Sequence, residues 1–287
     1  MIDRQNIARG AFFIVASELC FALSAALIKL ASADLPNESI VFFRSFLGLL
    51  ILIPVILKSD SKILQTERFY LHMLRAGFGV GGMYSFFYAV GQIPLADSML
   101  IKSTSPLIIP FMSAIWLQEK ITPRIILAGA IGFSGVFLIL QPNGDMKLAS
   151  LVALASSIFA ASAFVTVRKL SATEPPLRIV AYFTIFGLTI SSIPMLWHWQ
   201  TPTLKQLIIL IGVSITTTLF QVLLTRGYQS APASSVGIFT YTSVPFGTFL
   251  GWLIWNELLD LRFLFGAGLI VIAGIIVLRT KAALSAK

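Results

Sequence analysis

The sequence predicts an all-α integral membrane protein of ten transmembrane helices arranged as two inverted five-helix repeats. Composition is the first indication. Of 287 residues, 57% are hydrophobic and only 11% are charged, with a mean hydropathy of +0.89; a soluble domain carries about 25% charged residues. The second is internal repetition. Residues 17–54 align with 157–194 at an offset of 140, pairing Ser17 with Ser157, Lys29-Leu30 with Lys169-Leu170, Asp34 with Glu174, Pro36 with Pro176 and Ile53-Pro54 with Ile193-Pro194. Further on the offset is 138, pairing Pro94 with Pro232, Glu119 with Glu257 and Arg124 with Arg262, a slip of the size a short loop indel produces. The third is the placement of lysine and arginine, which follows from the spans.

A helix needs roughly 20 mostly apolar residues to cross the hydrocarbon layer. The first such stretch, 8–30, follows a charged N-terminus without the small-residue pattern of a cleavable signal, so it is read as a retained helix. Then come 38–57, 70–91, 95–117 and the short 123–140; the second set is 147–168, 178–197, 205–227, 232–255 and 263–280. The connections are a few residues long and leave no room for a soluble domain. With the N-terminus placed in the cytoplasm, 14 basic residues fall on the cytoplasmic side and 4 opposite, while Arg44, Arg75 and Lys102 lie within spans. That bias predicts both termini inside. Five spans per half is odd, so the second half starts on the opposite face and the repeats, 1–142 and 143–287, are inverted.

A charge at the centre of the bilayer costs about 2.5–3.5 kcal/mol on insertion scales, so each one needs a reason. Glu18 is mid-way along the first span, Arg44 two turns into the second, Arg75 in the first turns of the third, and Asp97 and Lys102 in the first two turns of the fourth. The aligned residues of the second copy are Ile158, Thr184, Val213, Ser235 and Thr240, all uncharged. Charges needed only to build the five-helix unit would recur, so the asymmetry points to function. Glu18 is a candidate proton carrier, and Lys102 a partner for a substrate carboxylate or for Glu18. Arg44 pairs or meets an anion. Arg75 fits either snorkelling or gating, and Asp97 fits an acidic first helical turn.

Polar side chains at helical spacing extend this set. Tyr84 and Tyr88 lie at i, i+4; so do Gln221 and Thr225; Ser98, Lys102 and Ser105 share a face; Tyr241 lies between Thr240 and Ser243 in the ninth span. Gly129, Gly132 and Gly135, and in the second copy Gly266, Gly268 and Gly274, predict close helix contacts. Pro106 and Pro110 in the fourth span and Pro245 in the ninth predict kinks that serve as gates or as packing adjustments.

Other classes are poorly served. Cys20 cannot form an intrachain disulfide, His72 and His198 sit near span ends and make no metal cluster, and Ser134 lacks a nucleophile-elbow context. No catalytic residue, metal or cofactor is expected. The net charge of +9 follows the loops, so nucleic acid is not an expected partner.

Phe42-Phe43-Arg44-Ser45, Ile93-Pro94-Leu95-Ala96-Asp97, Pro106, Glu119 and the glycines closing on Gln141-Pro142 resemble the EamA domain of the drug/metabolite transporter superfamily. Ala231-Pro232-Ala233-Ser234-Ser235, Pro245, Glu257, Gly268 and Gly274 resemble a second, more worn copy. The resemblance spans nearly the whole chain. It implies a secondary carrier in a bacterial inner membrane, working by alternating access and moving an amino acid, another small metabolite or a nucleoside-type compound. The implied cavity is lined by spans one, three, four, six, eight and nine, which carry Glu18, Tyr84, Tyr88, Lys102, Gln221 and Tyr241. The excess of deep basic groups favours an anionic or zwitterionic solute, with a proton or counter-substrate as coupling partner and a monomer or homodimer as the unit.

Overall fold

The computed structural model describes residues 7–59, 63–118, 121–140, 148–170, 173–230, 237–258 and 260–285. Its helices are α1 (Ile7–Ala31), α2 (Asn37–Leu57), α3 (Phe69–Gln92), α4 (Leu95–Lys102), α5 (Ser105–Leu117), α6 (Pro123–Leu140), α7 (Leu148–Leu170), α8 (Pro176–His198) and α9 (Leu204–Ser230). A 3₁₀ segment, Gly237–Thr242, runs into α10 (Ser243–Trp255), and α11 (Leu261–Ser285) follows. Among the described residues, Ala8–Ala31, Asn37–Leu57, Leu95–Trp116, Leu148–Val167, Leu177–His198 and Leu204–Leu224 are long and apolar enough to cross a membrane. Pro123–Ile139 and Leu261–Val277 are shorter apolar helices. Large apolar side chains such as Phe12, Leu57, Ile115, Phe137, Leu196 and Phe249 are exposed, which suits a surface solvated by lipid.

Every extensive helix pairing crosses between the halves: α1 with α9, α3 with α7, α6 with α11 and α2 with α8. Exchanging each helix for its repeat mate turns the α1–α9 pair into α7–α3, while α2–α8 and α6–α11 map onto themselves. This is the contact pattern of two inverted repeats about a pseudo-two-fold axis. Neither half buries its inner face alone. In α6–α11 the approach is backbone to backbone, since a Cβ at Gly135 would lie 2.7 Å from the Gly266 carbonyl oxygen.

The fourth and ninth spans are broken rather than kinked. α4 stops at Lys102, Ser103 and Thr104 form a turn, and α5 restarts with Pro106 at its second position, where the missing amide costs nothing. The ninth span tightens to 3₁₀ before α10, with Pro245 at its third residue. Both breaks fall on the same dipeptide, Thr104-Ser105 and Thr242-Ser243, which the repeat aligns. At the first break, Ser103 donates to the Met99 carbonyl (2.8 Å), Thr104 to Ile101 (2.7 Å) and Ser105 to Lys102 (2.8 Å). Thr242 donates to Phe239 (2.6 Å) and Ser243 to Thr240 (2.9 Å) at the second. The Met99 and Ile101 carbonyls also keep backbone donors, from Ser103 and Thr104, whereas that of Lys102, which faces Pro106 four residues on, takes the Ser105 hydroxyl in place of an amide.

The two ends of the bundle are held differently. At the end carrying the α1–α2 and α3–α4 turns, Lys29 pairs with Glu257, donates to the Ile93 carbonyl (3.0 Å), and Glu257 accepts the Leu95 amide (2.8 Å). At the opposite end Glu174 accepts from Arg178 (2.6 Å) and Thr66 (2.7 Å), with His72 4.0 Å away on α3. Arg178 also donates to the Ile63 carbonyl (2.6 Å), and Tyr182 to that of Leu64 (2.7 Å). Burial raises the Glu174 pKa, but the Arg178 and Thr66 hydrogen bonds and the Arg178 and His72 charges outweigh it and hold the carboxyl below its usual value. The Glu119 and Gln141-Pro142 positions, and the Ala231–Ser235 stretch, lie outside the described residues.

Two outcomes follow from this packing. Gly135→Ala is expected to destabilise the detergent-solubilised protein by about 1–3 kcal/mol through overpacking, whereas Gly268→Ala, with open space at its Cβ position, leaves thermal unfolding unchanged. Glu174→Gln is expected to cost roughly 1–3 kcal/mol at pH 7. Because the folded pKa of Glu174 is depressed, its contribution is complete above the unfolded carboxylate pKa, about 4.3, and is lost as pH falls through the folded value. Thermal unfolding at several pH values should show the wild type and variant converging in acid.

Candidate functional site

A cavity of about 320 Å³ lies between the halves, at the lower end of the roughly 300–1,000 Å³ range of small-molecule sites. Its lining comes from α1, α2, α3 and α4 on one side and α7, α8 and α9 on the other. The Lys29–Glu257 contact closes the bundle at one end. Toward the other, the lining reaches Val167, Ile179 and Val180, close to the termini of α7 and α8.

Three cations line the cavity: Arg44, Arg75 and Lys102. Each is held on a phenyl ring. Arg75 places its guanidinium carbon 3.9 Å from the Phe183 ring centre, and Arg44 places its own 5.6 Å from the same ring. The Lys102 ammonium is 3.9 Å from the Phe21 ring and 5.7 Å from Phe86, and those two rings stack at 5.3 Å. Arg44 is only 6% exposed, and among the described residues the buried Nε and Nη1 atoms of Arg75 have no hydrogen-bond partner. Among the described residues no carboxylate lines the cavity. Glu18, also 6% exposed, lies behind it, beside Ser243 at the second helix break and within electrostatic reach of Lys102.

A ring face contributes about 0.5–2 kcal/mol to a cation, less than the roughly 2.5–3.5 kcal/mol of placing one at membrane depth. The rings orient the cations without neutralising them. The surface of α3 lets Arg75 reach Phe183. A Cβ at Gly79 would collide with Arg75 Nη1 and with the Phe183 ring, so the helix surface is left bare where the guanidinium lies along it.

The structure brings Arg44, Arg75, Lys102 and Gln221 to one cavity, with Glu18 adjoining. It does not bring the tyrosines there. Tyr84 is half-buried beside the cavity, its carbonyl accepting from Asn37 (2.9 Å), and Tyr88 is 37% exposed. Tyr241 packs its hydroxyl against Gly274 of α11. Pro106 and Pro245 stand at the two helix breaks. No described residue of the ninth span lines the cavity; α2 and α8 do. The Lys29–Glu257 closure accounts for this, because α10 is drawn onto α4, where a Cβ at Gly247 would strike Met99. Asp97 borders a separate recess of about 200 Å³ with Glu257, Asp260 and Arg262. Residue-type reasoning missed Phe21, Phe86 and Phe183. One signal was available: Phe21 is three residues from Glu18 and shares its helix face.

Gly79→Ala should therefore push Phe183 and Arg75 apart and lower the thermal stability of the purified protein, whereas Gly77→Ala, open at its Cβ position, should leave it unchanged. Equal unfolding midpoints would show that Gly79 is not what holds the guanidinium against the ring.

The EamA-like transporter family description matches residues 8–141 and again 147–279. The pseudopaline exporter CntI of Pseudomonas aeruginosa is 33% identical over 276 residues, covering 95% of this chain and 96% of the relative. A riboflavin transporter of Vibrio cholerae is 28% identical over 279 residues, covering 95% and 94%. A solved crystal structure with 16% identity superposes at a TM-score of 0.69 over 96% of this chain and 99% of the other, a likeness of fold. With both halves matched and a relative at this identity along nearly its whole length, the chain belongs to the EamA-like transporter family and is a multi-pass membrane transporter, not an enzyme.

Proposed function

We propose that this protein is a secondary carrier that moves a small anionic or zwitterionic metabolite, an amino acid or a similar solute, across a bacterial inner membrane by alternating access. The observation that carries the reading is the cavity lined by Arg44, Arg75 and Lys102 and by no carboxylate among the described residues. The names of the similar proteins, a pseudopaline exporter and a riboflavin transporter, support a small-molecule cargo. The basic bias of the loops supports a cytoplasmic N- and C-terminus. On that orientation the Lys29–Glu257 contact closes the external side and the lining reaches toward the cytoplasm, which is one of the two states a rocking pair of repeats needs. Residues 1–142 and 143–287 are then the moving halves. Glu18, within electrostatic reach of Lys102 rather than on the lining, suits a proton or counter-substrate step that changes the charge facing the cargo. Tyr84, Tyr88 and Tyr241 have no place in this reading of the binding surface.

A second reading is favoured by the rings. Phe21, Phe86, Phe183 and Phe220 on the lining offer stacking faces to a nucleoside-type metabolite exported or exchanged through the same path.

Proteoliposomes preloaded with amino acids, nucleosides or other metabolites test both. Saturable counterflow is the expected behaviour for the true substrate class. Flux in Lys102→Ala should fall by about tenfold or more, given roughly 1.5–3 kcal/mol for a charge-assisted contact. In Glu18→Gln it should no longer respond to pH. Wild-type flux in both variants would remove these residues from the pathway.

A further inference from the structure

We infer that Arg44 and Arg75 form a seat for a dianionic group of the substrate, either two carboxylates of one molecule or a phosphate monoester. The inference rests on the cavity being the substrate site and names the chemistry that fits it. Both guanidinium groups converge on one ring, Phe183, from different helices, and Arg75 lies within the repulsive field of Arg44. Like charges gathered at membrane depth are costly, and an anion of matching charge offsets that cost. Within the described residues neither arginine has a carboxylate partner, and the cavity lining supplies none. The donors are prepared but unmet, since Arg75 Nε and Nη1 are buried without an acceptor. The bare surface at Gly79 and the Phe183 ring meanwhile hold that guanidinium in place. Arginine presents a rigid fork that matches two oxygens at once, in a carboxylate or a phosphate.

Lys102 does not belong to this pair. It lies against Phe21 and Phe86 and within electrostatic reach of Glu18, so its charge already has an answering group. The cavity therefore has two unlike regions: a doubly cationic one at Phe183, and an amphoteric one where Lys102 adjoins Glu18. A single carboxylate leaves one positive charge uncompensated at the first, and a dianion leaves none.

The test uses the full-length protein in detergent at constant ionic strength, with ligand affinity read from the shift of its thermal unfolding. The probes are glutarate, glycerol 3-phosphate and butyrate. At least one dianion should bind about tenfold tighter than butyrate. Tighter glutarate assigns the seat to paired carboxylates, and tighter glycerol 3-phosphate to a phosphate ester. In Arg44→Gln and Arg75→Gln the advantage should shrink to within about twofold. Arg75→Lys keeps the charge and loses the fork, and should lose several-fold of the advantage even if Arg75→Gln fails to unfold cooperatively. Lys102→Ala should weaken all three probes while preserving their ratio.

Butyrate binding as tightly as both dianions overturns the inference. So does an advantage that survives the arginine substitutions, or no binding of either dianion at millimolar concentration. The carrier reading fails separately. If proteoliposomes show Lys102-dependent counterflow while the dianion preference is absent, only the seat is wrong. A dianion preference without any counterflow leaves a binding site and removes the carrier.

Discussion

Positive charge buried at membrane depth is the constraint to which the other features of this molecule answer. Arg44, Arg75 and Lys102 converge on a cavity of about 320 Å³ that holds no carboxylate among its described lining residues. Each costs roughly 2.5–3.5 kcal/mol to place there, and cation–π contact with one ring returns about 0.5–2 kcal/mol. The remaining deficit has to be met by the fold's own stability, by water, or by an anionic ligand. Gly79 leaves space for Arg75, Phe183 receives it, and Phe21 with Phe86 receives Lys102. The rings keep Arg44 and Arg75 in place without cancelling their charge, and Lys102 lies within electrostatic reach of Glu18.

The scaffold around the site is symmetric in its helix pairing and asymmetric in the charges at the cavity. The α1–α9 and α3–α7 pairs are repeat mates, and α2–α8 and α6–α11 are self-mates. Both helix breaks fall on aligned Thr-Ser dipeptides whose hydroxyls bond to carbonyls of the preceding turn. The ends of the bundle depart from this symmetry in chemistry. The α2–α3 loop meets α8 through Glu174, Arg178 and Thr66. Its repeat mate, the chain following α8, meets α2 through Trp199 against Phe42 and Phe43, with ring centres 5.9 Å apart in both contacts. One is an ionic clasp, and the other is a ring contact that ion screening does not weaken.

Much of this could be read from the residues, because the signals involved are local or periodic. Apolar length gives the spans, and the aligned halves with five spans each give the inversion. The glycines at 135 and 266 announced a close approach, and backbone meets backbone there. The lack of charged mates for Arg44, Arg75, Lys102 and Glu18 brought those residues forward, and the structure places them at or beside one cavity. The tyrosine pair showed the limit of spacing. Tyr84 and Tyr88 share a helix face, but Tyr88 turns outward, and nothing in an i, i+4 pattern says which way a face points within a bundle whose every side is apolar. The phenylalanines were hidden for the related reason that a ring against lipid and a ring beneath an arginine look alike in sequence. The helix breaks were partly legible. Proline marked their neighbourhood, but the residue at which each helix stops is set by turn and hydroxyl bonds that exist only once the chain is folded.

Lys29 and Glu257 show what repetition means for mechanism. Both have mates in the other copy, Lys169 and Glu119, so the alignment alone reads them as common scaffold. In the folded chain the pair joins the end of α1 to the second residue after α10, and it also binds the backbone of Ile93 and of Leu95, where α4 begins. It is thus an interaction between halves that closes one end of the cavity, made from residue types both copies retain. A carrier needs closures that can be exchanged between its two ends and a site that is used from both, so closing groups benefit from duplication while binding groups do not. A charge repeated across the pseudo-two-fold axis would double the buried cost without improving the fit to an asymmetric cargo. The distribution of charge in this chain, doubled at the closure and single at the cavity, follows from that difference.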